Sequence, residues 1–451
     1  MKLPARPPAY PVLRDRISAR DRLLDVWAHL PRVGAMVEGR YRHWDTIRRM
    51  DPPEGLSSEE WWFSIKTARL SERRPIPLRD RFGNEFGYTI PDDMLRMLRL
   101  VDLEVGGTSS ASGDATTPEQ RDRMIRNSLE EEAITSSQLE GAATTRQVAK
   151  ELIRSGRPPR DESERMIVNN FELMQRVRGL ANRPMTPDVV VELQRVATEG
   201  TLTPALQGLR QPDRDDDVAV YDRNGSVVLH RPPSADELPD RLAAMCAFAN
   251  TTEDAPGTFL HPALRAIALH FWLAYDHPFV DGNGRTARAL FYWSMLRQGF
   301  WLVEFLPISR LIRQAPARYA RSFLYTETDG NDLTYFFLSQ LSVLERAAED
   351  FRAYRARKQR EMRETRALLT PASGMNHRQI ALVGHALRHP GRSYTIKGHQ
   401  AGHGVTYPTA RKDLLDLAER GLLDQTQLQR QGRALLFTAP ADLGERLRDS
   451  G

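Results

Sequence analysis

The 451-residue sequence has a single cysteine, Cys246. One thiol excludes an intramolecular disulfide and any cysteine-based zinc or iron–sulfur centre, and leaves Cys246 the role of a small buried residue. Long hydrophobic runs are also missing. No stretch approaches the ~20 apolar residues that a bilayer span requires, and the proline-rich, charged start MKLPARPPAYPVLRDR lacks the apolar core of a secretion signal. These absences lead us to expect a cytoplasmic protein without a membrane partner. A strong charge of one sign is absent as well: 64 Lys and Arg face 59 Asp and Glu, so the excess of five matters only where it clusters. Residues 371–451 concentrate it, with 11 basic against 7 acidic side chains, a difference of +4. No internal repeat of about 20–50 residues is visible.

The length suggests two or three domains, each with its own core. Residues 1–105 contain four of the seven tryptophans and read as a mainly helical domain. Within LSSEEWW, Ser57 and Glu60 have capping-box spacing, with Leu56 and Trp61 placed as a hydrophobic staple. Residues 106–117, small and polar, read as a flexible linker. Thr117 then caps a new helix, with Pro118 at its first position and Gln120 completing the box. From 118 to 357 the pattern is helical, with one interruption at VAVYDRNGSVVLHRPP. There two β-branched runs flank Asn224-Gly225, which predicts a hairpin with a type I′ turn. Residues 371–451 read as a winged helix-turn-helix. A helix near Arg378–Leu387, a YTI strand and a helix capped by Thr406 precede two strands, near Leu423–Leu428 and Ala434–Thr438, joined by QRQGR. Leu414, Leu415 and Leu417 supply the inner face of the capped helix, and Gly421 ends it.

The chemistry lies in HPFVDGNGRTAR, residues 277–288. Both flanking segments, HPALRAIALHFWLAY and RTARALFYWSMLRQG, read as buried helices, so the glycine loop joins two core helices. Amides at the start of the second helix form an anion site reinforced by its dipole. Asp281 and Asn283 sit like the first and third ligands of a calcium loop, but Arg285 stands at the fifth place and Thr286 where glycine is required. A Walker loop is absent. Gly282, Gly284 and Ala287 fit the GxGxxA of a dinucleotide fold, with Glu304 downstream, yet the required preceding strand is replaced by a helical pattern. A plain glycine turn with surface arginines is the remaining structural reading.

His277, Phe279, Asp281, Gly282, Asn283, Gly284, Arg285 and Arg288 fit every position of HxFx[DE]GNGRxxR, the signature of Fic (filamentation induced by cAMP) domain proteins. The resemblance extends over about 118–341, including GLR at Gly208–Arg210 and the hairpin with HRPP, and continues in NHRQ and TARKDLLDLAERGLL of the tail. It implies a mainly α protein: a helical Fic domain with a β-hairpin flap, a helical N-terminal domain and the C-terminal winged helix-turn-helix. It also implies transfer of AMP from ATP, with Mg²⁺, to a Tyr, Ser or Thr hydroxyl of a target protein and of the chain itself.

The same resemblance distributes the roles. His277 would take the hydroxyl proton, suited by an unperturbed pKa of about 6.5, and Asp281 would hold Mg²⁺. Asn283 with the Gly282 and Gly284 amides would hold the α-phosphate, Arg285 the β-phosphate and Arg288 the γ-phosphate. Phe279 would anchor the loop in the core. Flap residues Val218, Ala219, Val220, Tyr221, Val227, Val228, Leu229 and His230 would pair with an extended target segment. Upstream, Ser136, Glu140 and Gly141 match the inhibitory [ST]xxxE[GN], where Glu140 would pair with Arg288 in bidentate fashion and keep the γ-phosphate out. A different class of function stays open: a DNA-binding regulator with a nucleotide-sensing Fic domain, whose Tyr407, Arg411, Lys412, Arg430 and Arg433 face the duplex. Asp413, Asp416 and Glu419 dilute that helix's charge, and winged helices also serve protein contacts or homo-oligomers. An AMP-removing hydrolase is a further alternative.

Overall fold

The structure, a computed structural model, describes residues 3–106, 118–215, 218–222, 224–251, 259–368, 374–428 and 434–449. Among these residues it is mainly helical, with three small antiparallel sheets. By density of internal contacts the chain divides into two units. One comprises Met1–Ser112 and Ser128–Ala348, the other Gly113–Asn127 and Glu349–Gly451. The expected cap at Thr117, nearly all of the 106–117 linker and the QRQGR turn lie outside the described residues.

The centre of the first unit is the helix pair expected around the glycine loop. Pro262–Asp276 starts with proline at its first position and is capped by the His261 ring, which accepts from the Ala263 amide. Its side chains are buried on nearly every face, because Asn283–Arg297 packs along it and Leu238–Asn250 covers another side. Glu162–Gly179 and Pro187–Thr198 pack against Asn283–Arg297. A helix apolar all round has to be enclosed in this way to keep its surface from water. Its burial is what allows a loop at its end to be held rigidly.

The N-terminal residues belong to the same unit. Ser57 and Glu60 form the predicted capping box at the start of Ser58–Ser71, and Leu56 and Trp61 are buried in one apolar cluster. An antiparallel pair, Arg74–Arg79 with Glu85–Tyr88, was not legible in RPIPLR because Pro75 and Pro77 mask the alternation of Ile76 and Leu78. Prolines are tolerated in a two-stranded sheet, whose outer edges need no ladder donors.

The hairpin in the helical domain forms as Val220–Tyr221 paired with Val228–His230, but the type I′ turn is replaced by a longer loop. Gly225 is the fourth residue of a turn, donating to the Asp222 carbonyl with φ +66°, and the Asp222 amide donates to Val227 O. The Asp222 carboxylate explains the change: its Oδ1 accepts from the Ser226 and Val227 amides. An aspartate at this place organises its own loop.

In the second unit Asn376 and Gln379 form a capping box for His377–Arg388, and Thr406 caps Tyr407–Glu419. Ser393–Thr395, Asp424–Leu428 and Ala434–Thr438 make one sheet with Ala434–Thr438 in the middle. A helix at Ile396–His403 was not expected, since Gly398 and Gly402 weaken its pattern. Leu414 and Leu417 are fully buried, while Leu415 is only partly so.

A buried ionic network ties the N-terminal residues to the turn before the helix Thr334–Leu368. Lys66 Nζ lies 2.9 Å from Asp329 Oδ1, and Tyr335 donates to Asp329 Oδ2 at 2.6 Å. Arg69 donates to Tyr335 Oη and to the carbonyls of Ala35 and Arg42, its guanidinium 3.7 Å from the Tyr41 ring centre. Removing one member strands the others in low dielectric. Asp329→Ala is therefore expected to lower unfolding free energy by about 3 kcal/mol, measured by denaturant titration of tryptophan fluorescence. A loss below about 1 kcal/mol would mean that this network is worth no more than a surface pair.

Candidate active site

His277 ends the first core helix in the left-handed region, φ 45° and ψ 54°. For a residue with a side chain this costs on the order of 1 kcal/mol, so neighbours must hold it. Its amide donates to Leu273 O, and its carbonyl accepts from Arg210 Nε at 2.8 Å. Burial pushes the imidazole down to about 4, helped by His230 and Arg210 and opposed by a hydrogen bond to the Ala274 main chain and by Glu140. The ring is thus neutral, with a lone pair to offer, at pH 7. Just before it, Asp276 is clamped by Arg241 Nε and Nη2 at 2.9 and 2.6 Å and by Trp272 Nε1 at 3.0 Å.

The loop is closed from within by Asn283. Its Oδ1 accepts from the Phe279 amide at 3.0 Å and its Nδ2 donates to Phe279 O at 2.7 Å, while the Phe279 ring is fully buried. Gly282 has φ +89°, and a Cβ there would stand 2.9 Å from Thr198 Cγ2, so only glycine lets the loop approach Pro187–Thr198. From that helix Gln194 donates to Asp281 O at 3.0 Å and accepts from the Gly208 amide at 3.1 Å.

Arg285 is fully buried, donating from Nη2 to Asp281 Oδ2 at 2.8 Å and from Nη1 to Ala197 O. Its Nε has no partner among the described residues, a costly state that an added acceptor would relieve. Asp281 is about half exposed, and its Oδ1 has no partner among the described residues. No group of three or more acidic, His or Cys side chains placed to hold a metal occurs among the described residues. Any cation at Asp281 would therefore take its other ligands from substrate and water, as magnesium commonly does.

Arg288, 2% exposed, meets the inhibitory segment directly. Its Nη2 donates to Glu140 Oε1 at 2.7 Å and to Ser136 O at 3.2 Å, and its Nε donates to Ser136 Oγ at 2.8 Å. The expected two-pronged carboxylate contact is thus replaced: Ser136, one turn earlier on Pro118–Leu139, takes the Nε side, and Glu140 makes one bond. Gly141, φ +106°, turns the chain away immediately after. Glu140 also presses on the loop, because a Cβ at Gly284 would lie 2.2 Å from its Oε1. The helix that precedes it, Pro118–Leu139, is anchored by Glu132, whose carboxylate accepts from the Ser309 amide at 3.0 Å and from its hydroxyl, and by Asn170 donating to Ala133 O.

His277, Asp281–Arg285, Arg288 and Ser136–Gly141 are therefore brought to one place. The flap strands lie nearby: His230 bonds through Nε2 to Tyr275 O at 2.6 Å and through Nδ1 to Glu327 at 2.8 Å, and Tyr221 is exposed. Tyr407, Arg411 and Lys412 belong to the other unit, and Arg430 and Arg433 lie outside the described residues. Sequence reasoning missed Gln194, Glu132, Asp276 and Arg241, which carry no local pattern. It noted GLR without assigning a task to Arg210.

The sequence profile of the Fic/DOC family matches residues 184–295, which hold the loop and the hairpin but not Ser136–Gly141. A protein adenylyltransferase Fic of Nematostella vectensis is 41% identical over 71 residues, 16% of this chain and 16% of that protein. That of Drosophila virilis is 37% identical over 71 residues, 16% of this chain and 14% of its own length. The chain thus spans about a sixth of the length of these curated relatives. In fold it is similar to the crystal structure of a Fic family protein from Desulfovibrio desulfuricans, with TM-score 0.51 and 19% identity, covering 78% of this chain and 97% of the other. The signature loop between the two core helices lies within residues 184–295, the segment that matches the Fic/DOC family as a Fic domain.

Proposed function

We propose that the chain is a self-inhibited protein adenylyltransferase, transferring AMP from ATP to a hydroxyl of a target protein and of itself. The observation that carries this reading is Glu140 on Arg288, directly over Gly284. A carboxylate occupies the guanidinium that a terminal phosphate would take.

The chemistry follows from the residues present. A Tyr, Ser or Thr hydroxyl oxygen forms a bond to the α-phosphorus, the bond from that phosphorus to the bridging oxygen breaks, pyrophosphate leaves, and the proton passes to the neutral His277 ring. The first-turn amides of Asn283–Arg297, free of acceptors within their own helix, offer donors to the phosphates. Asn283 and Arg285, whose Nε has no partner among the described residues, belong to the same first turn. Magnesium held at Asp281 would neutralise phosphate charge. The flap would present the target as an added strand.

The test is transfer of label from α-labelled ATP with Mg²⁺ by wild type, Glu140→Gly and Glu140→Gly/His277→Ala. Label is expected to rise on removing Glu140, by ~10-fold or more for one charge-assisted contact, and to vanish in the double variant. No label in any folded variant would favour a nucleotide sensor or an AMP-removing hydrolase. With His277 near 4, labelling by Glu140→Gly should stay level through pH 6.5 and fall only as pH drops toward about 4. An inflection near 6.5 would overturn the depressed pKa of His277 and leave its role as base to the double variant.

A second reading concerns the other unit: a winged helix-turn-helix that contacts DNA through Tyr407–Glu419. Asp413 was expected to dilute this helix's charge, but it points inward. Its carboxylate accepts from Arg378 at 2.7 and 3.0 Å, Asn376 at 2.8 Å and His399 at 3.1 Å. Burial opposes its ionisation, yet these donors hold its pKa at about 2. Asp416 is engaged by Gln379 and Arg420, which leaves Arg411, Lys412 and Tyr407 exposed beside Glu419. Duplex affinity should fall steeply with salt, and Arg411→Ala/Lys412→Ala should flatten the log–log slope by about 2. Equal slopes for variant and wild type would reject this surface.

A further inference from the structure

The GLR segment has no part in the transfer chemistry described above, yet its arginine lies at the junction of two elements that chemistry needs. Arg210 is 2% exposed, and its guanidinium donates to four main-chain carbonyls: Nε to His277 at 2.8 Å, Nη1 to Asp215 at 3.2 Å, Nη2 to Pro233 at 2.9 Å and to Asp276 at 3.5 Å. Asp215 and Pro233 are the two feet of the flap, the residues from which the hairpin departs and to which it returns. His277 is the residue whose left-handed backbone aims the imidazole.

The backbone of GLR reinforces the same joint. The Arg210 amide donates to Pro278 O at 2.9 Å, Leu209 bridges Phe279, and Gly208, with φ +93°, donates to Gln194. His230 fastens the flap strand separately, to Tyr275 and Glu327. Among the described residues, Arg210 is the side chain that grips both feet of the flap and the His277 carbonyl at once.

We infer that Arg210 is a positioning residue that fixes the distance between a target segment docked on the flap and the His277 ring. This rests on the adenylyl-transfer reading for its consequence, though not for the coupling itself. A planar fork with five N–H donors spans these four separate carbonyls, whereas the compact ammonium of lysine, with three donors on a flexible stem, does not. Lysine preserves the charge that helps keep His277 neutral, so the substitution isolates geometry from electrostatics. Misplacement by about 1 Å costs a transfer reaction ~10²-fold while leaving nucleotide binding intact.

The experiment compares Glu140→Gly with Glu140→Gly/Arg210→Lys in two readouts. Hydrogen exchange followed by mass spectrometry should show faster exchange together in peptides covering 218–230 and 273–285, with the helix Ser58–Ser71 unchanged. Exchange that rises in only one of the two peptides, or equally everywhere, overturns the coupling, and this readout needs no activity. Self-labelling should fall ~10²-fold with ATP affinity within about twofold, and Arg210→Gln should behave like Arg210→Lys. Unchanged labelling, or parallel loss of labelling and ATP affinity in both variants, overturns the positioning role. A parent that binds ATP but does not label, with the two peptides still loosening together, would instead count against adenylyl transfer while leaving the coupling in place.

Discussion

A guanidinium buried beneath a loop is the constraint from which the site follows. Arg288 sits on a helix packed on every side, where burial alone would disfavour its charge, and the nearby Glu140 carboxylate sustains it. A cation so placed requires acceptors. In this structure Ser136 and Glu140 supply them, and because Ser136 lies on Pro118–Leu139 and Glu140 directly follows it, the need for a partner recruits a whole helix to the site. That helix is anchored in turn by Glu132 at Ser309 and by Asn170 at Ala133. The acceptors of Arg288 can change only at the terminal turn, where Glu140 is 29% exposed, without breaking buried polar contacts farther up the helix.

The same economy of buried polar groups runs through the rest of the first unit. Asn283 closes the loop on Phe279, Arg285 joins Asp281 to Ala197, and Gln194 joins Asp281 to Gly208. Each bond satisfies a group that would otherwise be stranded, so the loop has little freedom to rearrange. Donors fixed in this way suit a reaction in which positioning and charge stabilisation supply most of the barrier reduction. The N-terminal residues extend this rigidity. Asp80 accepts from Asn331 while Arg81 N–H donates to Tyr275, the residue whose carbonyl holds His230 of the flap.

Much of this was legible from residue order. The capping box at Ser57, the helices on either side of the loop and the hairpin rest on local spacing, whereas the meeting of Glu140 with Arg288 was implied only by the family resemblance. Elements with masked patterns were not legible: the RPIPLR strand behind its prolines, the glycine-weakened helix at Ile396–His403, and the Asp222-organised loop that displaces a type I′ turn. Asp413 was misjudged for another reason. Its orientation depends on Arg378, Asn376 and His399, which approach from other helices.

By itself the sequence determined which residues meet the demands of backbone geometry and of the loop motif, because glycine at positive φ, caps and apolar periodicity act within a few residues. Only the tertiary structure decided which polar partners those residues find. Ser136 rather than a second carboxylate oxygen beside Arg288, Arg210 on His277, and the clamp of Arg241 on Asp276 all join positions far apart in the chain. Such bonds are set by the requirement that buried donors and acceptors be satisfied where the packed helices happen to bring them together.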